Sequence, residues 1–238
     1  MQLYLIRHAQ SFNNTLPKER WHERSHDAPL TEYGTRQATL LAQHLATGFN
    51  PSSPAQNRPD VRGYDLTRLY CSPMWRTLRT AQFIAEKLAI TPEVWVDLHE
   101  QGGVFLEDRE TGAVTGYPGK TRQEMQTEFP GYVLPDDVTE AGWWSGGYED
   151  QPACDGRAIR VAEKLRTWAD TDERIALVSH AGFLDALLKA LYHMLPSRGL
   201  FYYHHNTAIS RVDLRGDDDL VTRYLNRVDH LPPELLTL

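Results

Sequence analysis

The sequence predicts an α/β protein: a three-layer α/β/α sandwich with a mostly parallel central sheet, an antiparallel edge and an inserted cap region. Three observations predict it. Segments of strand length, mostly apolar, stand at residues 3–6, 66–71 and 175–179; the run at 3–6 is apolar throughout, the pattern of a strand covered on both faces, which needs no alternation. Each run is followed downstream by apolar residues at helical spacing, the rhythm of βα units. The rhythm breaks over the glycine-rich residues 101–151, and the chain closes with two strand-like segments, 208–214 and 220–225, around a polar turn. A chain of 238 residues with 41% hydrophobic content can bury one large core. The expected organisation is a single domain over 1–238 with 101–151 as a cap insertion.

Taken in order, the run 3–6 stops abruptly at Arg7. Thr31 is the expected N-cap of a helix whose stripe is Ala38, Leu41, Ala42 and Leu45. Residues 48–63 are rich in Asn, Pro and Ser and suit an exposed connection. After the strand at 66–71, Ser72 and Pro73 supply an N-cap and a first-turn proline for a helix marked by Leu78, Ala81, Ala85 and Leu88. A third strand is expected over 94–98. Within the cap, Thr121-Arg122-Gln123-Glu124 has capping-box spacing and predicts a short helix ending before Pro130. Ala158, Val161, Ala162 and Leu165 mark the next helix, and Leu187 and Leu191 the helix after the strand at 175–179.

The formal net charge of -7 argues against nucleic acid or an anionic membrane as the main partner. An anionic substrate therefore needs a local cluster of cations. Cys71 and Cys154 are too few to staple a secreted scaffold. The start of the chain has no charged, apolar leader, and no stretch approaches membrane-spanning length. These features predict a soluble, unprocessed, cytoplasmic protein, and they are compatible with a homo-oligomer.

Candidate reactive residues fall just past the carboxyl ends of four expected strands: Arg7 and His8, Arg76, Glu100, and His180. Open α/β sheets bind ligands at that edge. The surrounding segments strengthen the signal. Residues 5–14 read LIRHAQSFNN; Ala28-Pro29-Leu30-Thr31 follows with Gly34 and Gln37-Ala38, then Cys71-Ser72-Pro73-Met74-Trp75-Arg76-Thr77, Leu98-His99-Glu100, and Val178-Ser179-His180-Ala181-Gly182. In this order they resemble the histidine phosphatase superfamily, its phosphoglycerate mutase-like branch. A two-residue Arg-His match is weak by itself, and the ordered set carries the specificity.

The resemblance implies that His8 attacks a phosphate monoester and forms a phosphohistidine, with Glu100 giving a proton to the leaving oxygen. The chemistry accounts for the residue types. A phosphate dianion repels a nucleophile until cations offset its charge. Guanidinium groups at Arg7 and Arg76 pair with two phosphate oxygens at once. His180 adds a donor, and Ser11, Asn14 and Ala181 are expected to bind substrate. No metal and no cofactor are required. The implied partner is a small phosphorylated substrate. Ala9 departs from the family's usual glycine, Gln10 from glutamate and Ala181 from a second glycine. A methyl group at Ala9 is strained only if its φ is positive.

Three functions stay open at this point: a phosphatase, a cofactor-dependent phosphoglycerate mutase-type enzyme, and a non-catalytic module that binds phosphorylated ligands. Such mutases continue after the acid with an Arg-His-Tyr-Gly-like stretch, whereas Glu100 precedes Gln101-Gly102-Gly103-Val104-Phe105, which favours hydrolysis. The cap would set the substrate, with Lys120 and Arg122 as candidates for a second anionic group. His22-Glu23-Arg24-Ser25-His26 matches the H-E-x-x-H zinc pattern, but it lies among Pro17 and Pro29 with no apolar stripe to place both histidines on one helix face. The expected role of that loop is to rim the pocket. Arg215-Gly216-Asp217 reads as part of a hairpin turn.

Overall fold

The structure, a computed structural model, describes residues 1–50, 62–108, 110–197, 199–216 and 219–238. Its chain order is β1 (Gln2–Arg7), α1 (Phe12–Thr15), α2 (Glu32–Thr47), β2 (Arg68–Cys71), α3 (Trp75–Leu88), β3 (Pro92–Val94), β4 (Phe105–Glu107), β5 (Val114–Gly116), α4 (Arg122–Glu128), α5 (Gln151–Arg166), β6 (Arg174–Ser179), α6 (Ala181–Leu191), β7 (Ile209–Leu214) and β8 (Leu220–Arg227). Six strands form one sheet in the order β3-β2-β6-β1-β7-β8. The first four run parallel, and β7 and β8 add the antiparallel edge.

The side chains of β1 divide between two cores, as alternation in a pleated strand requires. Tyr4 and Ile6 meet Leu41 and Leu45 of α2 and Leu78, Ala81 and Ile84 of α3. Leu3 and Leu5 meet Ala158, Val161 and Ala162 of α5 and Leu184, Leu187 and Leu188 of α6. All four β1 side chains are fully buried, at roughly 1.5–3 kcal/mol of hydrophobic stabilisation each. β1 is thus held on both faces where it leads into Arg7 and His8. Thr31 caps α2 by accepting from Gly34 N at 2.9 Å, and Thr121 and Glu124 form the expected capping box of α4.

Two expectations need correction. The strand before Glu100 is Pro92–Val94, not 94–98; beyond it Trp95 packs against Tyr70 and Trp168, and Val96–Leu98 forms a single 3-10 turn. The helix after β2 begins at Trp75 rather than at Pro73. A residue before proline is biased to extended backbone, and Ser72 puts its hydroxyl on His180 instead of a helix end. The start of α3 is served from a distance: the Asp27 carboxylate accepts from Trp75 N at 2.9 and 3.2 Å.

Between residues 101 and 150 lie the β4/β5 hairpin, α4, and an aromatic pair, Trp143 and Trp144, packed on His99. Gly103 has φ +74°, and a Cβ there would stand 2.2 Å from the Trp144 ring. Lys120 is engaged by Glu128 at 2.7 Å and the Trp75 ring, and Arg122 donates to the carbonyls of Leu134, Pro135 and Val138. Neither lines the cavity walled by Arg76 and Glu100. Most of the connection expected at 48–63, and residues 217–218 of the β7–β8 turn, lie outside the described residues. Among the described residues no helix is long and apolar enough to cross a membrane.

Candidate active site

His8 follows the last residue of β1, where the chain leaves the sheet at its carboxyl edge. Its backbone is fixed on both sides: His8 N donates to Ser179 O at 2.9 Å, and Asn206 Nδ2 donates to His8 O at 3.0 Å. The ring is fixed as well. Nδ1 lies 2.7 Å from the Ala9 carbonyl, which can only accept, so Nδ1 carries the proton and Nε2 the lone pair. Arg76 Nε donates to that lone pair at 3.2 Å. Burial, then Arg76 and Arg7, hold the His8 pKa well below the ordinary histidine value, so the ring is neutral at physiological pH. Ala9 is not among the residues with positive φ, and its methyl group is accommodated without strain. Its amide donates to Thr80 Oγ1 at 3.1 Å, which ties this turn to α3.

Three cationic or donor side chains surround His8. Arg7, 6% exposed, donates from one terminal nitrogen to the His204 carbonyl at 2.6 Å, while its buried Nε meets no partner. Arg76 stands with one terminal nitrogen 3.9 Å from Asp27. His180 is fully buried, its ring centroid 5.1 Å from that of His8. The Ser72 hydroxyl lies 2.8 Å from His180 Nε2 and accepts from Met74 N at 3.3 Å. Nδ1 of His180 is buried and meets no partner. Burial, then Arg76 and His8, push the His180 pKa down.

Glu100 reaches the same edge from the loop beyond the 3-10 turn. Its Oε1 accepts from Gln101 N and Phe183 N, both at 2.9 Å, and Oε2 receives only a long bond from Gly182 N at 3.4 Å. The carboxyl group therefore sits at the amino end of α6, oriented by backbone amides. Gly182 leaves the carboxyl group in this position, because a Cβ there would lie 2.8 Å from Glu100 Oε1 and displace it.

A cavity of about 340 Å³ opens on this edge, walled by Arg76, Glu100, Gln101 and Gly182 below and by Trp21, His22, Arg24, His26, Phe105 and Leu106 around the mouth. The loop at residues 22–26 thus rims the pocket. Glu23 is occupied by Arg20, and among the described residues no group of three or more His, Cys, Asp and Glu could hold a metal ion.

The structure brings Arg7, His8, Arg76, Glu100 and His180 together and treats Ser11, Asn14 and Ala181 differently. Ser11 is buried, and both its amide and its hydroxyl donate to Asn14 Oδ1, at 3.0 and 2.9 Å. The pair closes the first turn of α1 upon itself, and Asn13 lines the cavity in place of Asn14. Ala181 opens α6, and its neighbour Gly182 forms the wall. Sequence reasoning missed Asp27, Thr80 and Ser72 as supports of the site. Asn206 and Thr207 also support the site: Asn206 holds His8 O, and Thr207, with φ +60°, donates its amide to Arg7 O at 3.1 Å.

The chain is similar to known proteins over nearly its whole length. The family model of the histidine phosphatase superfamily (branch 1) matches residues 3–227. A probable phosphoglycerate mutase of Yersinia pestis is 27% identical over 215 residues, covering 90% of this chain and 85% of its own. Among solved structures, a putative alpha-ribazole-5'-P phosphatase from Escherichia coli aligns with a TM-score of 0.61 at 20% identity, over 95% of this chain and 96% of that one. A phosphoserine phosphatase from Entamoeba histolytica aligns at 0.59 and 21%, over 97% and 99%. A mycobacterial glucosyl-3-phosphoglycerate phosphatase aligns at 0.58 and 20%, over 95% and 99%. These structural likenesses establish a shared fold.

Proposed function

This chain belongs to the histidine phosphatase superfamily, and we propose that within it the protein is a phosphatase that hydrolyses a small phosphate monoester through a phosphohistidine on His8. One observation carries the reading: His8 is held as the Nδ1–H tautomer, neutral, with the Nε2 lone pair facing Arg76. That is the state a histidine nucleophile needs.

An entering phosphoryl group draws the Arg76 donors from Nε2 to its own oxygens. Arg7 Nε and, with its proton on that nitrogen, His180 Nδ1, both buried without a partner, supply two further hydrogen bonds. The Nε2–P bond forms as the ester P–O bond breaks, and the leaving oxygen takes a proton from Glu100. Oε2 is the oxygen for that transfer, since Oε1 is committed to two amides. Water then attacks phosphorus, Glu100 takes one of its protons, the Nε2–P bond breaks, and phosphate leaves. Residues 101–151 act as the cap of a single domain over 1–238, and Gln101, Gly103, Phe105 and Leu106 in the cavity wall give the cap its hold on substrate choice. Two buried free thiols suit a reducing, cytoplasmic setting.

The mutase-named relative favours a second reading, return of the phosphoryl group to substrate. Against it, no Arg or His follows Glu100 directly, and the Gln101 amide is spent on Tyr148 and the Glu149 carbonyl. A panel of phosphate monoesters assayed for released phosphate separates the readings. We expect release by the wild type, insensitivity to chelator, and a loss of at least about 10³-fold in His8→Ala. Isomerisation of 3-phosphoglycerate without phosphate release selects the mutase. Neither turnover nor phosphohistidine selects a binding module.

A further inference from the structure

Behind Glu100 lies a buried ion pair that no step above uses. Arg157 of α5 is 2% exposed and grips Glu149 through two bonds, Nε to Oε1 at 2.8 Å and a terminal nitrogen to Oε2 at 2.5 Å. Its other terminal nitrogen donates to the carbonyls of Asp97 and His99, at 2.6 and 2.9 Å. These two carbonyls belong to the 3-10 turn and to the residue just before Glu100. The guanidinium carbon also sits 4.4 Å from the centroid of the Phe183 ring, and Phe183 N is one of the two amides holding Glu100 Oε1. Glu149 grips the far side: its amide donates to Gly102 O at 3.1 Å, its carbonyl accepts from Gln101 Nε2 at 3.1 Å, and its Oε1 stands 3.7 Å from His99 Nε2. Burial opposes ionisation of Glu149, but the two hydrogen bonds from Arg157 and the nearby His99 ring outweigh it and lower its pKa to about 2, so its carboxylate is ionised throughout the working range.

We infer that Arg157 and Glu149 are positioning residues for Glu100: the pair brackets its backbone from residue 97 to residue 102 and braces the Phe183 amide that orients its carboxylate. The inference rests on the reading of Glu100 as proton donor. An ion pair suits the task because it brings many directional bonds to one place while adding little net charge beside the carboxylate. A general acid displaced by a fraction of an ångström loses much of its effect.

A purely structural pair would weaken all substrates alike, whereas a positioning pair acts only where the leaving group needs a proton. The test is therefore kcat/KM for ethyl phosphate, whose alkoxide must be protonated, against p-nitrophenyl phosphate, whose phenolate leaves without help. For Arg157→Lys and Glu149→Gln, we expect a loss of about tenfold on ethyl phosphate, part of the roughly 10²- to 10⁴-fold that a general acid supplies, and a change within about twofold on p-nitrophenyl phosphate. In a Glu100→Gln background, Arg157→Lys should cost nothing further, since the two act through one group. Equal losses on both substrates, or a full additional loss in the Glu100→Gln background, would overturn the proposal. Glu149→Gln keeps the side-chain volume and one acceptor, and decides the matter if Arg157→Lys does not fold. The Glu100→Gln single variant separates the two levels: if it shows no preference between leaving groups, the role of Glu100 falls and the positioning role with it; if it does, the Arg157 and Glu149 results judge the positioning role alone.

Discussion

The end of β1 and the loop that carries Glu100 hold their reactive side chains by different means. His8 extends a fully buried central strand, and neighbouring strand ends, Ser179 of β6 and Asn206 before β7, fix its main chain directly. Glu100 hangs beyond a 3-10 turn outside the sheet, and is kept in place by the α6 amides, by Arg157 and Glu149, and by tryptophans packed on His99. In the proposed mechanism the nucleophile thus inherits its precision from the core, while the acid depends on side chains brought from three distant segments. Errors near His8 should abolish chemistry, and errors near Glu100 should grade it by leaving group.

The largest expected effect falls on the β1 side. Arg76→Ala removes the donor facing His8 Nε2 and the cation above it, and kcat/KM should fall roughly 10²- to 10³-fold for every phosphate monoester. A loss confined to poor leaving groups would contradict the division of roles. Gly182→Ala probes the other side. The new methyl group would stand 2.8 Å from Glu100 Oε1, and the displaced carboxylate should cost about tenfold on ethyl phosphate, with p-nitrophenyl phosphate little changed; equal turnover of both relative to wild type would show that Glu100 tolerates the shift.

Acid titration separates the regions by stability. Burial lowers the pKa of His204, whose carbonyl holds Arg7, to about 4, and that of His230, beside Thr207, to about 3. A histidine kept neutral in the folded state gives its full stability above the ordinary value near 6.5. That stability falls as pH drops below 6.5, by about 1.4 kcal/mol per unit for each histidine, and the loss is complete once the folded pKa is reached. Glu149 has the opposite chemistry with the same sign: its contribution is intact above the ordinary glutamate range and is lost only as pH falls toward 2. Hydrogen exchange between pH 7 and 5 should therefore show opening around β1 and β7 before the 97–102 loop; the reverse order would refute this. The smallest effect is Asp27→Ala, which uncaps Trp75 N and should cost about 1 kcal/mol in denaturant unfolding.

Much of this architecture was legible in the sequence because it rests on local pattern. The apolar runs of β1, β2 and β6 and the stripes of α2, α5 and α6 mark buried faces, and Arg7-His8 stands out as the polar break after such a run. Gly34, one of the motif positions, has a plain reason in space: a Cβ there would lie 2.1 Å from Gln10 O, under the turn that follows His8. Supports that join distant residues left no local trace. Asp27 caps a helix 48 residues later, Ser72 leaves its own helix to meet His180 across 108 residues, and Arg157 reaches back 58 residues to His99. Ser11 and Asn14, read as substrate contacts, bond one another in the structure, an arrangement that a serine and an asparagine three apart adopt readily by local geometry.

The central claim is that His8 Nε2 accepts the phosphoryl group. Rapid quenching of the wild-type protein with a turning-over phosphate monoester, followed by alkaline peptide mapping, tests it most directly. The account predicts an acid-labile phosphoryl group on the peptide carrying His8, attached at Nε2, accumulating in Glu100→Gln if water attack is slowed, and absent in His8→Ala. A phosphoryl group on any other residue, or substrate turnover with none on His8 at any quench time, would contradict it.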